Sequence, residues 1–190
     1  MAEPRSKVAT YADLEAVPDH LVAEILFGQF VVRPISPTIR EGLARTALAM
    51  TVGRELHKRG YILLSQAEVR IGGHVIVPDL SCWRIRDIAD TCDATFIDFA
   101  PEWVCEVLAD CTEIRDRGDK SKIYAQHGVK NLWLIDPAVQ SLECLRCEAD
   151  GWKLNHVFFE SEDVRAEPFD YFTFPLSDLW PFDPPTNPSA

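Results

Sequence analysis

Apolar, largely β-branched runs occupy residues 21–27, 30–33, 61–64, 67–71, 74–83, 101–108 and 131–136, each bounded by glycine, proline or polar residues as strands are. Gly28-Gln29 separates the first two runs and Gly72-Gly73 separates 67–71 from 74–83, so both pairs read as hairpins. A third hairpin is expected from 140–147 and 151–159, around Glu148-Ala149-Asp150-Gly151. A helical period runs from Ile39 to Arg59, with Leu43, Ala47, Met50 and Leu56 as its apolar positions and Gly60 just past its end. Thr10 caps a short helix that Pro18 stops, and residues 119–127 form another, closed by Gly128. That last helix lies between two apolar strands, a crossover that makes the pair parallel.

The remaining stretches are punctuation and tail. Residues 84–99 are a polar surface loop holding a turn of helix, and 109–118 are a polar connector. Beyond Glu160, the aromatic and apolar residues Phe169, Tyr171, Phe172, Phe174, Leu176, Leu179, Trp180 and Phe182 stand among prolines, so the tail is expected to pack on the domain as far as Phe182. Residues 183–190, with Pro184, Pro185 and Pro188, are expected to be disordered. No repeat divides the chain, and residues 1–182 read as one domain.

Two positions break the apolar pattern in a way that demands an explanation. Val77-Pro78-Asp79-Leu80 and Trp103-Val104-Cys105-Glu106-Val107-Leu108 each set one carboxylate inside an apolar strand. An ionised group there is costly unless a metal or a positive charge compensates it. Pro78 cannot donate to a ladder, so the strand must be irregular beside Asp79. Period two places Glu106 on one face with Glu102, Val104 and Leu108, opposite Trp103, Cys105 and Val107. On the helix after it, Lys120, Ile123, Tyr124 and His127 share the packing face, while Lys122 points about 200° away. Lys120 is therefore the lysine that faces the sheet, with a snorkelling position at the helix start as the plainer alternative. Glu24, in the first hairpin, reads either as a charge on a solvated edge or as a third acidic group at the same site, and its spacing favours the solvated edge.

Composition narrows the classes. The chain has 190 residues, 47% hydrophobic and 26% charged, in the ordinary range for a globular protein. No apolar run approaches the roughly 20 residues that span a bilayer, and the N-terminus lacks the apolar core of a signal peptide, so a cytoplasmic protein without a membrane partner is expected. Cys82, Cys92, Cys105, Cys111, Cys144 and Cys147 would then be mostly reduced. Cys144 and Cys147 have CxxC spacing, yet residues three apart on a strand point to opposite faces, which argues against a zinc pair. The net charge of −11 opposes strong electrostatic binding to a polyanion. Residues 148–190 carry −7 of it and residues 1–147 carry −4, so the acid is concentrated in the tail.

The ordered set Glu24, Val77-Pro78-Asp79, Glu106-Val107-Leu108, Arg115-Asp116-Arg117-Gly118-Asp119-Lys120, Tyr124, Gly128-Val129 and Leu132-Trp133-Leu134-Ile135-Asp136-Pro137 resembles the Uma-type restriction endonuclease family, a branch of the PD-(D/E)XK nuclease superfamily. The resemblance runs from about Tyr11 to Leu154 and is most specific from Pro101 to Pro137. It implies an α/β fold with a restriction-endonuclease-like core, in which a mixed central β-sheet is flanked by helices and preceded by an N-terminal β-hairpin. It implies Asp79 and Glu106 as metal ligands, joined by the backbone carbonyl of Val107. It further implies that Lys120 assists the attacking water and that Glu24 is an auxiliary acidic residue of the catalytic site. Mg²⁺ is the implied cofactor, with Mn²⁺ as a substitute, DNA the implied partner, and a homodimer the implied assembly; no organic cofactor is expected.

Three positions depart from the family pattern. Phe27 stands where the hairpin turn usually has an aspartate, Ala109-Asp110 replace the usual Ser-Pro, and Arg40 or Glu41 stands where a histidine is expected. These departures feed an alternative expectation: a nuclease-fold protein with weak or no turnover, acting as a nucleic-acid-binding or regulatory module.

Overall fold

A computed structural model describes residues 9–18, 20–34, 38–91, 93–109 and 113–181. The expected disordered end at 183–190, Asp110 and two of the cysteines, Cys92 and Cys111, lie outside the described residues. The chain opens with helix α1 (Tyr11–Glu15), where Thr10 and Asp13 form a capping box. Strands β1 (Leu21–Leu26) and β2 (Gln29–Pro34) form the first hairpin. The expected turn at Gly28-Gln29 is shifted by one residue: Phe27 and Gly28 occupy it with φ 51° and 75°. Two consecutive positive φ values are what a tight hairpin twist requires, and the non-glycine Phe27 bears the strain.

Helix α2 (Ile39–His57) begins with a capping box between Thr38 and Glu41. Its buried stripe is Ala44, Leu48, Val52 and Leu56, a four-residue ridge. This corrects the expected face, of which Leu56 alone is fully buried. Met50 is 74% exposed and Leu43 and Ala47 are only partly covered, because the sheet is met by the ridge one residue further along. β3 (Tyr61–Ser65), β4 (Val69–Ile71), β5 (His74–Ile76) and β6 (Leu80–Arg84) follow. The expected continuous strand over 74–83 is split, because Val77-Pro78-Asp79 leaves one sheet and enters another. α3 (Ile85–Ile88) supplies the expected turn of helix. β7 (Trp103–Val107) leads to α4 (Glu113–Arg115), a π-helical turn (Asp116–Lys120) and α5 (Ser121–Gln126). The helical segment thus starts earlier than the expected residue 119, and Lys120 lies inside it rather than at its start. β8 (Asn131–Asp136), β9 (Ser141–Glu148) and β10 (Gly151–Phe159) complete the main sheet, and the short pair β11 (Asp163–Val164) and β12 (Phe174–Pro175) ties down the tail.

Two sheets carry the fold. The six-stranded sheet runs β10-β9-β8-β7-β6-β3 and is antiparallel except for the central β7–β8 pair, which is parallel as the crossover requires. The four-stranded sheet runs β2-β1-β5-β4. Period two along β7 sends Trp103, Cys105 and Val107 to one core, with the α2 ridge and the tail residues Phe169, Leu176, Leu179 and Trp180. Val104 and Leu108 go to the second core, with Ile123 and Tyr124 of α5 and Leu26 and Ile76 of the smaller sheet. Among the described residues, no helix is long and apolar enough to cross a membrane.

The position of the α2 ridge is open to a direct test. Leu48→Ala should lower stability by about 2–5 kcal/mol, as deletion of a fully buried leucine does. Met50→Ala should change it by less than about 0.5 kcal/mol, as at other surface positions. Equal losses in urea melts would refute this face assignment.

Candidate active site

The main ladder pairs Leu80 with Cys105 and Ser81 with Val104, and its continuation sets Asp79 opposite Glu106. Regular pairing stops there, since Pro78 has no N–H to offer. The two acidic residues then clasp each other through the backbone. Asp79 N–H donates to Glu106 Oε2 at 3.2 Å, and the Val107 N–H donates to Asp79 Oδ2 at 3.0 Å. Each carboxylate therefore replaces a strand carbonyl as acceptor.

Lys120 is the positive centre beneath this clasp. It is 2% exposed, with Nζ 3.0 Å from Glu106 Oε1, 3.3 Å from Asp116 Oδ1 and 3.4 Å from Glu24 Oε1. The face argument from the sequence holds: Lys120 points at the sheet, while the Lys122 side chain is 66% exposed. The reading of Glu24 as a solvated edge charge is overturned. Glu24 is 1% exposed and accepts the Val77 N–H at 2.8 Å, because β1 is an inner strand covered by the rest of the site. Tyr124 OH donates to Glu106 Oε1 at 2.5 Å. Arg45 of α2 closes the rim, with Nη1 3.1 Å from Asp79 Oδ1.

Glu24, Asp79, Glu106 and Lys120 are thus brought together. Val107 contributes its N–H to Asp79. Three contributors carried no role in the sequence reading. Asp116 lies one turn before Lys120 on the same helix, a spacing that could have drawn attention to it. Tyr124 was placed on the correct face without its hydrogen bond. Arg45 had no sequence signal, because its approach to Asp79 depends on how α2 crosses the sheet.

Electrostatics follow from the arrangement. Burial pushes the Glu106 carboxyl up to about 8; Asp116 and Asp79 add to this, and Lys120 and the Tyr124 hydroxyl oppose it. Burial alone would lower Lys120, yet the carboxylates of Glu106, Glu24, Asp116 and Asp79 overcome it and hold the amine well above its ordinary value. Burial, reinforced by Glu106, raises Tyr124, so the phenol keeps its proton and remains a donor. Four carboxylates face two cations, Lys120 and Arg45. Hard oxygen donors with surplus negative charge suit Mg²⁺, which is held by one or two carboxylates and completes its shell with water or phosphate. The chemistry of the Asp79 and Glu106 donors fits that ion. Among the described residues, no group of three or more His, Cys, Asp or Glu side chains is placed to hold a metal ion by itself.

Comparison with known proteins gives a concordant picture. The family described as "Uma2: Putative restriction endonuclease" matches residues 8–177. A crystal structure described as a putative nuclease belonging to DUF820 from Anabaena variabilis ATCC 29413 superposes with TM-score 0.75 at 20% identity, covering 90% of this chain and 96% of that one. That likeness shows a shared fold. No curated protein matches this chain.

The raised Glu106 sets a pH dependence of stability. Unfolded glutamate releases its proton near 4.5 and the folded one near 8, so between these values the folded state binds more protons. Stability from this group therefore falls as pH rises through that window. Against the parent, Glu106→Gln should gain about 1–4 kcal/mol between pH 5 and pH 8, read from paired thermal melts. A difference that stays flat with pH would show that Glu106 titrates normally.

Proposed function

Since this chain belongs to the Uma2 family, we propose that it is a metal-dependent endonuclease of the PD-(D/E)XK type that hydrolyses phosphodiester bonds in DNA. The observation that supports this most directly is the clasp of Asp79 and Glu106 with Lys120 3.0 Å from the Glu106 carboxylate. Asp79 and Glu106, with the Val107 carbonyl, would hold the Mg²⁺. A bound Mg²⁺ in such a site acidifies a water and neutralises charge on the scissile phosphate.

The chain's own residues do the positioning. The Val107 N–H fixes one Asp79 oxygen, and Tyr124 fixes one Glu106 oxygen. Lys120, kept protonated by its carboxylates, presents a fixed positive charge where negative charge develops on phosphate or attacking oxygen. Glu24 and Asp116 hold that ammonium in place and so act as positioning residues. Pairing of two chains would offer two such sites to a duplex.

A second reading draws on one feature: all three carboxylates around Lys120 are within 3.4 Å and the lysine is almost wholly covered, so the site is closed as it stands. A nuclease fold used for binding or regulation would look the same. Incubation of the pure protein with single- and double-stranded DNA and Mg²⁺ or Mn²⁺ separates the two. The parent should cut, and Asp79→Asn, Glu106→Gln and Lys120→Arg, which keeps the buried positive charge, should each lose about 10²-fold or more in rate while remaining folded by circular dichroism. Undiminished nicking by all three variants would reject the site; a parent that binds DNA and metal without cutting would favour the second reading.

A further inference from the structure

Among the acceptor atoms of the clasp, Asp79 Oδ1 stands apart. Asp79 Oδ2 is held by a backbone N–H, Glu106 Oε2 by another, and Glu106 Oε1 by the buried Lys120 and Tyr124. Asp79 Oδ1 is instead held by Arg45, whose side chain is 17% exposed and stands at the rim on α2. Lys120 and Tyr124 are locked in by burial, whereas a rotamer change at the rim can withdraw Arg45 without breaking backbone pairing. Arg33 of β2 reaches the same connector, with Nη2 3.5 Å from the Val77 carbonyl. Two guanidinium groups therefore border Val77-Pro78-Asp79 in a chain of net charge −11.

Resting on the metal-dependent reading above, we propose that Arg45 is the resident counter-cation of Asp79, that a divalent cation displaces it, and that the released guanidinium then binds the phosphodiester of the substrate. The argument is electrostatic and steric together. A dication on Asp79 repels a guanidinium bound to the same carboxylate, so the two compete for one oxygen. Once released, Arg45 remains tethered by α2 at the same rim. Its planar fork matches two non-bridging phosphate oxygens, whereas an ammonium would meet them as a point charge. Arg45 is in this way a substrate-positioning residue whose contact with Asp79 neutralises that carboxylate.

Calorimetric titration with Mn²⁺ alone provides a readout independent of cleavage. Arg45→Met should bind Mn²⁺ about 5–10-fold more tightly than the parent, the range expected for loss of a competing, partly covered ion pair. Arg45→Lys, which keeps the charge and the helix, should fall between them and serves if the methionine variant folds poorly. In a Lys120→Arg background, where the buried charge is kept and substrate stays intact, adding Arg45→Met should weaken binding of a fluorescent duplex in Mn²⁺ several-fold by anisotropy. Mn²⁺ affinity unchanged or weakened in both Arg45 variants, with Asp79→Asn abolishing it, would overturn this inference while leaving the metal site standing. Mn²⁺ uptake that is absent from the parent, or unaffected by Asp79→Asn, would overturn the metal reading and this inference with it.

Discussion

A lysine buried among carboxylates is the constraint around which this molecule is arranged. Taking an ammonium out of water costs several kcal/mol, and only close, well-directed anions offset it. Lys120 has three of them, Glu24, Asp116 and Glu106, within 3.4 Å. They come from a strand of the small sheet, from its own helix one turn earlier, and from the centre of the large sheet. The ion cluster therefore joins three separately formed pieces of chain. Burial keeps a proton on Glu106 up to about pH 8, and this relieves the cluster's excess of negative charge.

This cluster can exist because the chain changes sheets beside it. β5 pairs with β1 and β4, while β6 pairs with β3 and β7, and only Val77-Pro78-Asp79 lies between. A regular strand would have buried the Val77 and Asp79 N–H groups in a ladder. Here the first goes to Glu24 and the second to Glu106. Proline at 78 ensures that the one N–H that neither glutamate could take is absent. The acidic side chains thus do structural work as acceptors at the seam between two sheets, which is why their burial is tolerable before any ligand arrives.

Much of this was legible in the sequence, for a physical reason. Alternation in β7 assigned Glu106 to the face opposite Trp103 and Cys105, and the two cores divide that way. The helix wheel around 120–127 separated Lys120 from Lys122, and the parallel β7–β8 pair followed from the crossover. What could not be read depended on contacts between distant segments. Glu24 looked like an edge charge because nothing local reveals that β5 covers its strand. The ridge of α2 was misplaced because its apolar residues, Leu43 and Met50 among them, nearly encircle the helix and local spacing does not choose among them. The π-helical turn at Asp116–Lys120 shifts the phase of the helix just where Asp116 joins the site, and no residue preference announces such a turn.

The two cations of the site differ in a way that bears on its chemistry. Lys120 is held from every side and almost fully covered, so its charge is a fixed part of the interior, pre-oriented and paid for by folding. Arg45 makes its contact from a helix on the opposite layer, through a long side chain at the rim, to Asp79 Oδ1, while the Val107 N–H holds Oδ2. A fixed charge can stabilise what develops during a reaction because it needs no rearrangement at that moment. A withdrawable charge can neutralise Asp79 and yield when a stronger cation or an anionic substrate approaches. An acidic chain needs both: without the first, burying the carboxylates together would cost far more, and without the second the Asp79 carboxylate would meet a polyanion uncompensated.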